Sequence, residues 1–406
     1  MIRTAGTFLI LLLHGGIAAA EEPELRPDPE VAAILDRLGA NECAALPLFK
    51  TAGDLNDEAR RHGLDKNGPG MRDYCLKMAW MADRKRAIYY GANHGTPHRL
   101  NDVWEYDLPS NTWNCLYGPD PSKGRGADYA DVDWDDVEDG VIRTRRGGPA
   151  IVPHSWWNMT YDPEMKAMLT VCSWSMSHPK LFQYLKNGKH QPPLWAFYPE
   201  KRRWEPILES SFDGPKPAYE NARAMEYVPE LEGTVWTKSA GMWLYSSREN
   251  SWKRISPASE YGAGFPAREQ VMVHAPDRKL LIAHDRRGEG APSRGYEGAQ
   301  TSHYDTEKNT WTVAFESRTK NEPPPGFDAR TNFVYDPVGR VCLLWDPFWT
   351  GSLWKYDPDS TEWTKLEPKG PKPPTNRDAA LAYFDVARNL FVIPGQWVYR
   401  YSVGGK

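Results

Sequence analysis

Five arginines recur at comparable places in this chain: Arg72, Arg223, Arg268, Arg330 and Arg377 each stand just ahead of an apolar run able to form a strand. A guanidinium presents a planar fork of donors that binds carboxylates and sulfates, so several brought to one opening would make a well for an anionic ligand. Arginines that only brace loops or pair with local acids would look the same in sequence. Histidines fall near similar run ends, at His94, His98, His154, His178 and His284. His154, His178 and Tyr219, with Arg223 close behind, are the set suited to act on a uronic acid. They would take a proton, donate to a leaving oxygen and neutralise the carboxylate. The plainer reading is that these are loop histidines satisfied by neighbours.

No metal site is expected from the remaining candidates, and any cofactor is left open. The five cysteines, Cys43, Cys75, Cys115, Cys172 and Cys342, include no pair at zinc-finger spacing. Disulfides between them are allowed if the chain is exported, with no pairing readable. The acidic stretch from Asp128 to Asp139 fails as a calcium loop of the EF-hand kind. Asp136 stands sixth, where glycine is needed, and Ile142 twelfth, where glutamate is needed. It reads as a solvated loop, with the basic run Arg143 to Arg146 beside it. Asn158, Met159 and Thr160 have the form of a glycosylation site but sit in an expected strand.

A net charge of −4 with dispersed basic residues argues against nucleic acid as a partner. Residues 1–20 carry Arg3, an apolar stretch from Phe8 to Leu13 and small residues at 18–20, the pattern of a secretory signal peptide. The stretch is too short to span a bilayer, so a secreted or periplasmic location without a membrane span is expected.

The elements that must position these residues are repeated. An aromatic, any residue, a second aromatic and a Trp seven places later occur at Trp104, Tyr106 and Trp113; at Trp195, Phe197 and Trp204; and at Trp243, Tyr245 and Trp252. The pattern continues at Tyr304 and Trp311, with Ser302 in the first place, and at Trp354, Tyr356 and Trp363. Turn residues such as Asp107 to Asn111 fill the interval, so each copy is a hairpin. An apolar hairpin precedes each copy, as at Met78 to Tyr90 and Phe333 to Trp345. Each unit therefore has four strands, and small sheets repeated at this period bury their faces against one another in a propeller. The repeated aromatics are read as packing.

From about residue 72 onward the repeat resembles that of kelch propellers, which share the Tyr-Asp followed by Trp. It departs by lacking the usual glycine pair, for which Tyr90, Gly91, Ala92 and Asn93 are the nearest approach. The resemblance implies an all-β, kelch-like β-propeller, and the number of repeat units makes it six-bladed, with a seventh blade hidden in 114–155 as the alternative. It also implies the kinds of function such propellers carry. One is an exported protein that binds an anionic saccharide at an Arg-lined mouth, with polysaccharide lyase or sugar epimerase chemistry as its enzymatic form. The other is a non-catalytic module that binds a protein or a cell-surface glycan. A copper radical enzyme like galactose oxidase would need Cys172, which no local motif supports.

The last unit reaches Trp397 and Tyr399 but ends before its fourth strand, so a strand from the N-terminal region must complete it. The candidate is Ala44 to Lys50, after a short helix over Asp28 to Gly39 with an N-cap and a first-turn proline. The expected organisation is a signal peptide at 1–20, a helix and closing strand at 21–71, and a propeller at 72–406 with an acidic insertion at about 119–150.

Overall fold

Six four-stranded antiparallel units form from the repeated hairpins, and each begins at the centre of the molecule. The computed structural model describes residues 23–402 apart from 71, 73–74, 93–99, 122–140, 142, 151, 153–154, 172–193, 208–210, 213–222, 239–240, 258–270, 288–297, 318–331 and 348–350, and for residues 211–212, 256–257, 286–287 and 377 the backbone alone.

The innermost strands of blades I to VI are Met78–Met81, Met159–Asp162, Met225–Val228, Val271–Ala275, Val334–Asp336 and Tyr383–Asp385. Each contacts the next, and the sixth contacts the first, so the ring is closed. Every one turns into its partner strand through a residue in the left-handed region: Lys85, Lys166, Glu232, Lys279, Arg340 and Asn389, all with φ between 51° and 57°. A turn ending in such a residue matches the twist of the two strands it joins.

In blades I to V the Trp of the repeat opens the outer strand directly opposite the second aromatic: Trp113 faces Tyr106, Trp204 faces Phe197, Trp252 faces Tyr245, Trp311 faces Tyr304 and Trp363 faces Tyr356. The ring centroids lie 5.1–5.4 Å apart, within the range of favourable tilted pairs. Four of these Trp residues are buried, and Trp363 is half-buried. They are packing residues, as expected.

The ring is closed by the N-terminal segment, with a shifted register. Glu42–Ala45 pairs with Trp397–Arg400 as the fourth strand of blade VI. The expected strand ran on to Lys50, but Pro47 has no N–H to give to a ladder and Leu48 is exposed. The chain instead crosses to the neighbouring blade, where Lys50–Gly53 adds a fifth, parallel strand beside Thr112–Tyr117 of blade I. Ser211–Phe212 does the same for blade III. The helix spans Pro29–Arg37, capped by the Asp28 side chain, and Asp57–Arg61 and Leu64–Asn67 form two further short helices.

The described residues form six sheets, and the described part of 114–155 belongs to blade I or is tied to it. Thr144 and Tyr117 both donate to the buried Asp120, which also accepts from Asn101, and Arg146 reaches Asp120 at 3.2 Å. The acidic run itself lies outside the described residues. Cys43, Cys75, Cys115 and Cys342 are buried free thiols, which excludes the two-disulfide arrangement among them, and Cys172 lies outside the described residues. Asn158 is fully buried and accepts from Trp236, so its glycosylation form is fortuitous. No helix among the described residues is long and apolar enough to cross a membrane.

Candidate functional site

The inner strands enclose a central cavity of about 480 Å³ to which all six contribute. Aligning the six inner hairpins by register puts Trp80, Tyr161, Tyr227, His274, Tyr335 and Phe384 at one position, one residue before the last paired residue of each strand. All six line the cavity at its turn-side mouth.

Three of these rings also latch adjacent blades by a hydrogen bond, and a fourth faces an acid at the same place. The Tyr161 hydroxyl donates to Asp83 at 2.8 Å, Tyr227 to Glu164 at 3.2 Å, and Tyr335 to Asp277. His274 Nε2 comes within 3.0 Å of Glu230, out of line for a good hydrogen bond. In every case the acid lies three residues beyond the ring position of the preceding blade, so the latch is one device repeated around the ring. Burial and the facing carboxylates push the Tyr161 and Tyr335 hydroxyls well up and Tyr227 up to about 12, while burial pushes His274 down. At the other two junctions the preceding blades place Val338 and Ala387 at the acid position, so neither Phe384 nor the Trp80 indole meets a latch carboxylate. The mouth therefore has a polar sector and an apolar one.

At the strand-entry end, side chains cross the cavity. Lys77 of blade I reaches past blade II to blade III, where its Nζ donates to the Met225 carbonyl at 2.5 Å and to Glu226 Oε1 at 2.7 Å. Trp157 of blade II lies 5.9 Å below that ammonium and donates its own Nε1–H to the Met272 carbonyl of blade IV at 2.5 Å. Burial pushes Lys77 down and Glu226 up, each opposed by the charge of the other. The pair lies buried at the cavity wall and joins two blades that are not neighbours.

The arginines expected at one opening have unequal roles. Arg72 is almost fully buried, with one nitrogen on Asp102 at 2.5 Å and another on the Gly91 carbonyl at 2.6 Å. Asp102 also accepts from Trp104, so Arg72 ties the entry segment to blade I and presents nothing to a ligand. Arg223 is buried immediately before blade III, and Arg377 lies in a short turn before blade VI. Arg268, Arg330, His94, His154, His178 and Tyr219 fall outside the described residues. His284 does not line the cavity; it is bonded to Thr301 at 3.0 Å and wedged against Trp363 and Phe333 of blade V. Sequence reasoning missed Lys77, Glu226 and Trp157, which carry no shared motif. The ring position was readable as an aromatic followed by a turn and an acid, as in Tyr161, Asp162, Pro163 and Glu164.

The chain matches no protein-family model and no curated protein. Among solved structures it is similar to a fungal alcohol oxidase of the AA5 family in complex with copper, at 11% identity and a TM-score of 0.40 over 77% of this chain and 55% of that one. It is also similar to the GH74 enzyme of Niastella koreensis, at 11% identity and a TM-score of 0.42 over 79% of this chain and 51% of that one. This chain thus spans about half the length of each.

Proposed function

We propose that this protein is an exported, kelch-like propeller that binds a saccharide in its central cavity. The observation that supports the reading most is the ring of Trp80, Tyr161, Tyr227, His274, Tyr335 and Phe384 at one mouth of a cavity of ligand size. Sugar rings have apolar C–H faces and polar edges. Aromatic walls suit the faces, and the latch carboxylates and hydroxyls suit the edges. An acidic saccharide is the class favoured by the arginines ahead of the inner strands. Arg72, bound by Asp102, takes no part in that role.

The test is calorimetric titration of the mature protein with neutral and uronic-acid oligosaccharides, repeated on Trp80→Ala. Binding that Trp80→Ala weakens at least about tenfold supports the assignment. Failure of both ligand classes to bind, or binding unchanged in Trp80→Ala, would remove it.

A further inference from the structure

The Lys77–Glu226 bridge is an uneconomical way to hold blades together. Two ions removed from water lose hydration that their mutual attraction recovers only in good geometry, and apolar residues of similar size pack such a place equally well. Its position at the cavity wall gives it another use. Lys77 and Glu226 both line the cavity, and the Lys77 side chain is only 6% exposed. An ammonium carries three N–H donors. Two are taken by the Met225 carbonyl and Glu226, and the third has no acceptor among the described residues. The face of Trp157 beneath the ammonium holds it in place without consuming a donor.

We propose that Lys77 is the specificity residue of the cavity, its third ammonium hydrogen donating to a carboxylate on the bound saccharide while Glu226 and the Met225 carbonyl fix its position. This inference rests on the cavity being the saccharide site. It identifies the ligand as a uronic acid and places charge recognition inside the cavity, in addition to any arginine at the entry mouth. Glu226 has a second part in it. Its negative charge beside Lys77 lowers the gain from a ligand carboxylate, so the pair sets the affinity below that of an unopposed lysine.

The experiment is calorimetric titration of the full mature chain with an oligogalacturonate and its carboxyl-reduced counterpart. The proteins are the wild type, Lys77→Met, Glu226→Gln and the double variant, each checked for folding by circular dichroism. The wild type is expected to bind the uronate at least about tenfold more tightly than the neutral sugar. Lys77→Met should abolish that preference, and the double variant, which leaves no unpaired buried charge, should do the same. Glu226→Gln should raise the preference. A folded Lys77→Met or double variant that keeps the preference, or a Glu226→Gln variant that loses it, overturns the proposal. A wild type that binds both sugars equally sinks this inference and leaves the cavity reading intact. A wild type that binds neither removes the cavity reading as well.

Discussion

The Tyr399 hydroxyl donates to Asn41 Oδ1 across 2.9 Å, joining residues 358 positions apart. The same bond is local in blades I, III and IV, where Tyr106 meets Asn111, Tyr245 meets Asn250 and Tyr304 meets Asn309 at 2.6–3.0 Å. Each of these asparagines has a positive φ between 48° and 55°, and so does Asn41. The N-terminal strand therefore supplies blade VI with the turn residue that its own chain end lacks. Cys43 stands opposite Tyr399, where the other blades place Trp.

Asn41→Ala should accordingly destabilise the protein about as much as Asn250→Ala does. Each loses the bond from its tyrosine, Asn41 also loses a long Nδ2 bond to the Glu367 carbonyl at 3.3 Å, and both meet a left-handed backbone that alanine tolerates poorly, together about 1–2 kcal/mol. Chemical denaturation of the two variants checks this. An Asn41→Ala protein as stable as the wild type would show that the N-terminal strand is not part of the closed ring.

Replacing Trp252 by Ala should cost about 3–5 kcal/mol, the range for a large buried aromatic. Trp363 is half-buried in the same register position, so Trp363→Ala should cost clearly less. Equal losses would contradict the difference in burial between blades III and V.

Asp277 accepts from the Tyr335 hydroxyl, from Arg340 at 2.7 Å and from Arg278 at 2.7 Å, so it is the most heavily bonded of the latch acids. Asp277→Asn should lower the melting temperature more than Tyr161→Phe, which breaks one latch and leaves Asp83 free to hydrate. The Tyr161→Phe loss should be about 1 kcal/mol. A larger effect from Tyr161→Phe would mean that the latches do not act as separate bonds.

Acid should destabilise the protein through His303. Burial and the nearby Arg278 push this imidazole down to about 4, and its Nε2 faces the Tyr356 hydroxyl at 2.9 Å. Its ordinary value is about 6.5. Between these two values the unfolded chain binds a proton that the folded one does not, so stability is fully present above about 6.5 and is lost as pH falls towards 4. Melting temperatures of the wild type and His303→Gln between pH 7 and pH 4 test this. The variant should show the smaller fall, and parallel curves would assign the acid sensitivity elsewhere.

The blade count, the packing role of the repeated Trp residues and the need for an N-terminal closing strand were all legible in the sequence. They depend on local periodicity: a hairpin is set by neighbouring residues, and a missing fourth strand shows as a missing segment. Legibility failed where partners come from other strands of the same blade or from distant blades. Arg72 reads as an anion ligand until the fold sets Asp102 and the Gly91 carbonyl against it. Lys77 and Glu226 are 149 positions apart and share no motif, and only the curvature of the ring brings them together across the cavity. The latch occupies a middle ground. Its aromatic and its acid each recur at a fixed place in the repeat, but the bond joins one blade's aromatic to the acid of the blade before. Strand order within a blade follows from chain order, whereas contact between blades depends on how steeply each sheet twists and how many sheets share the circle.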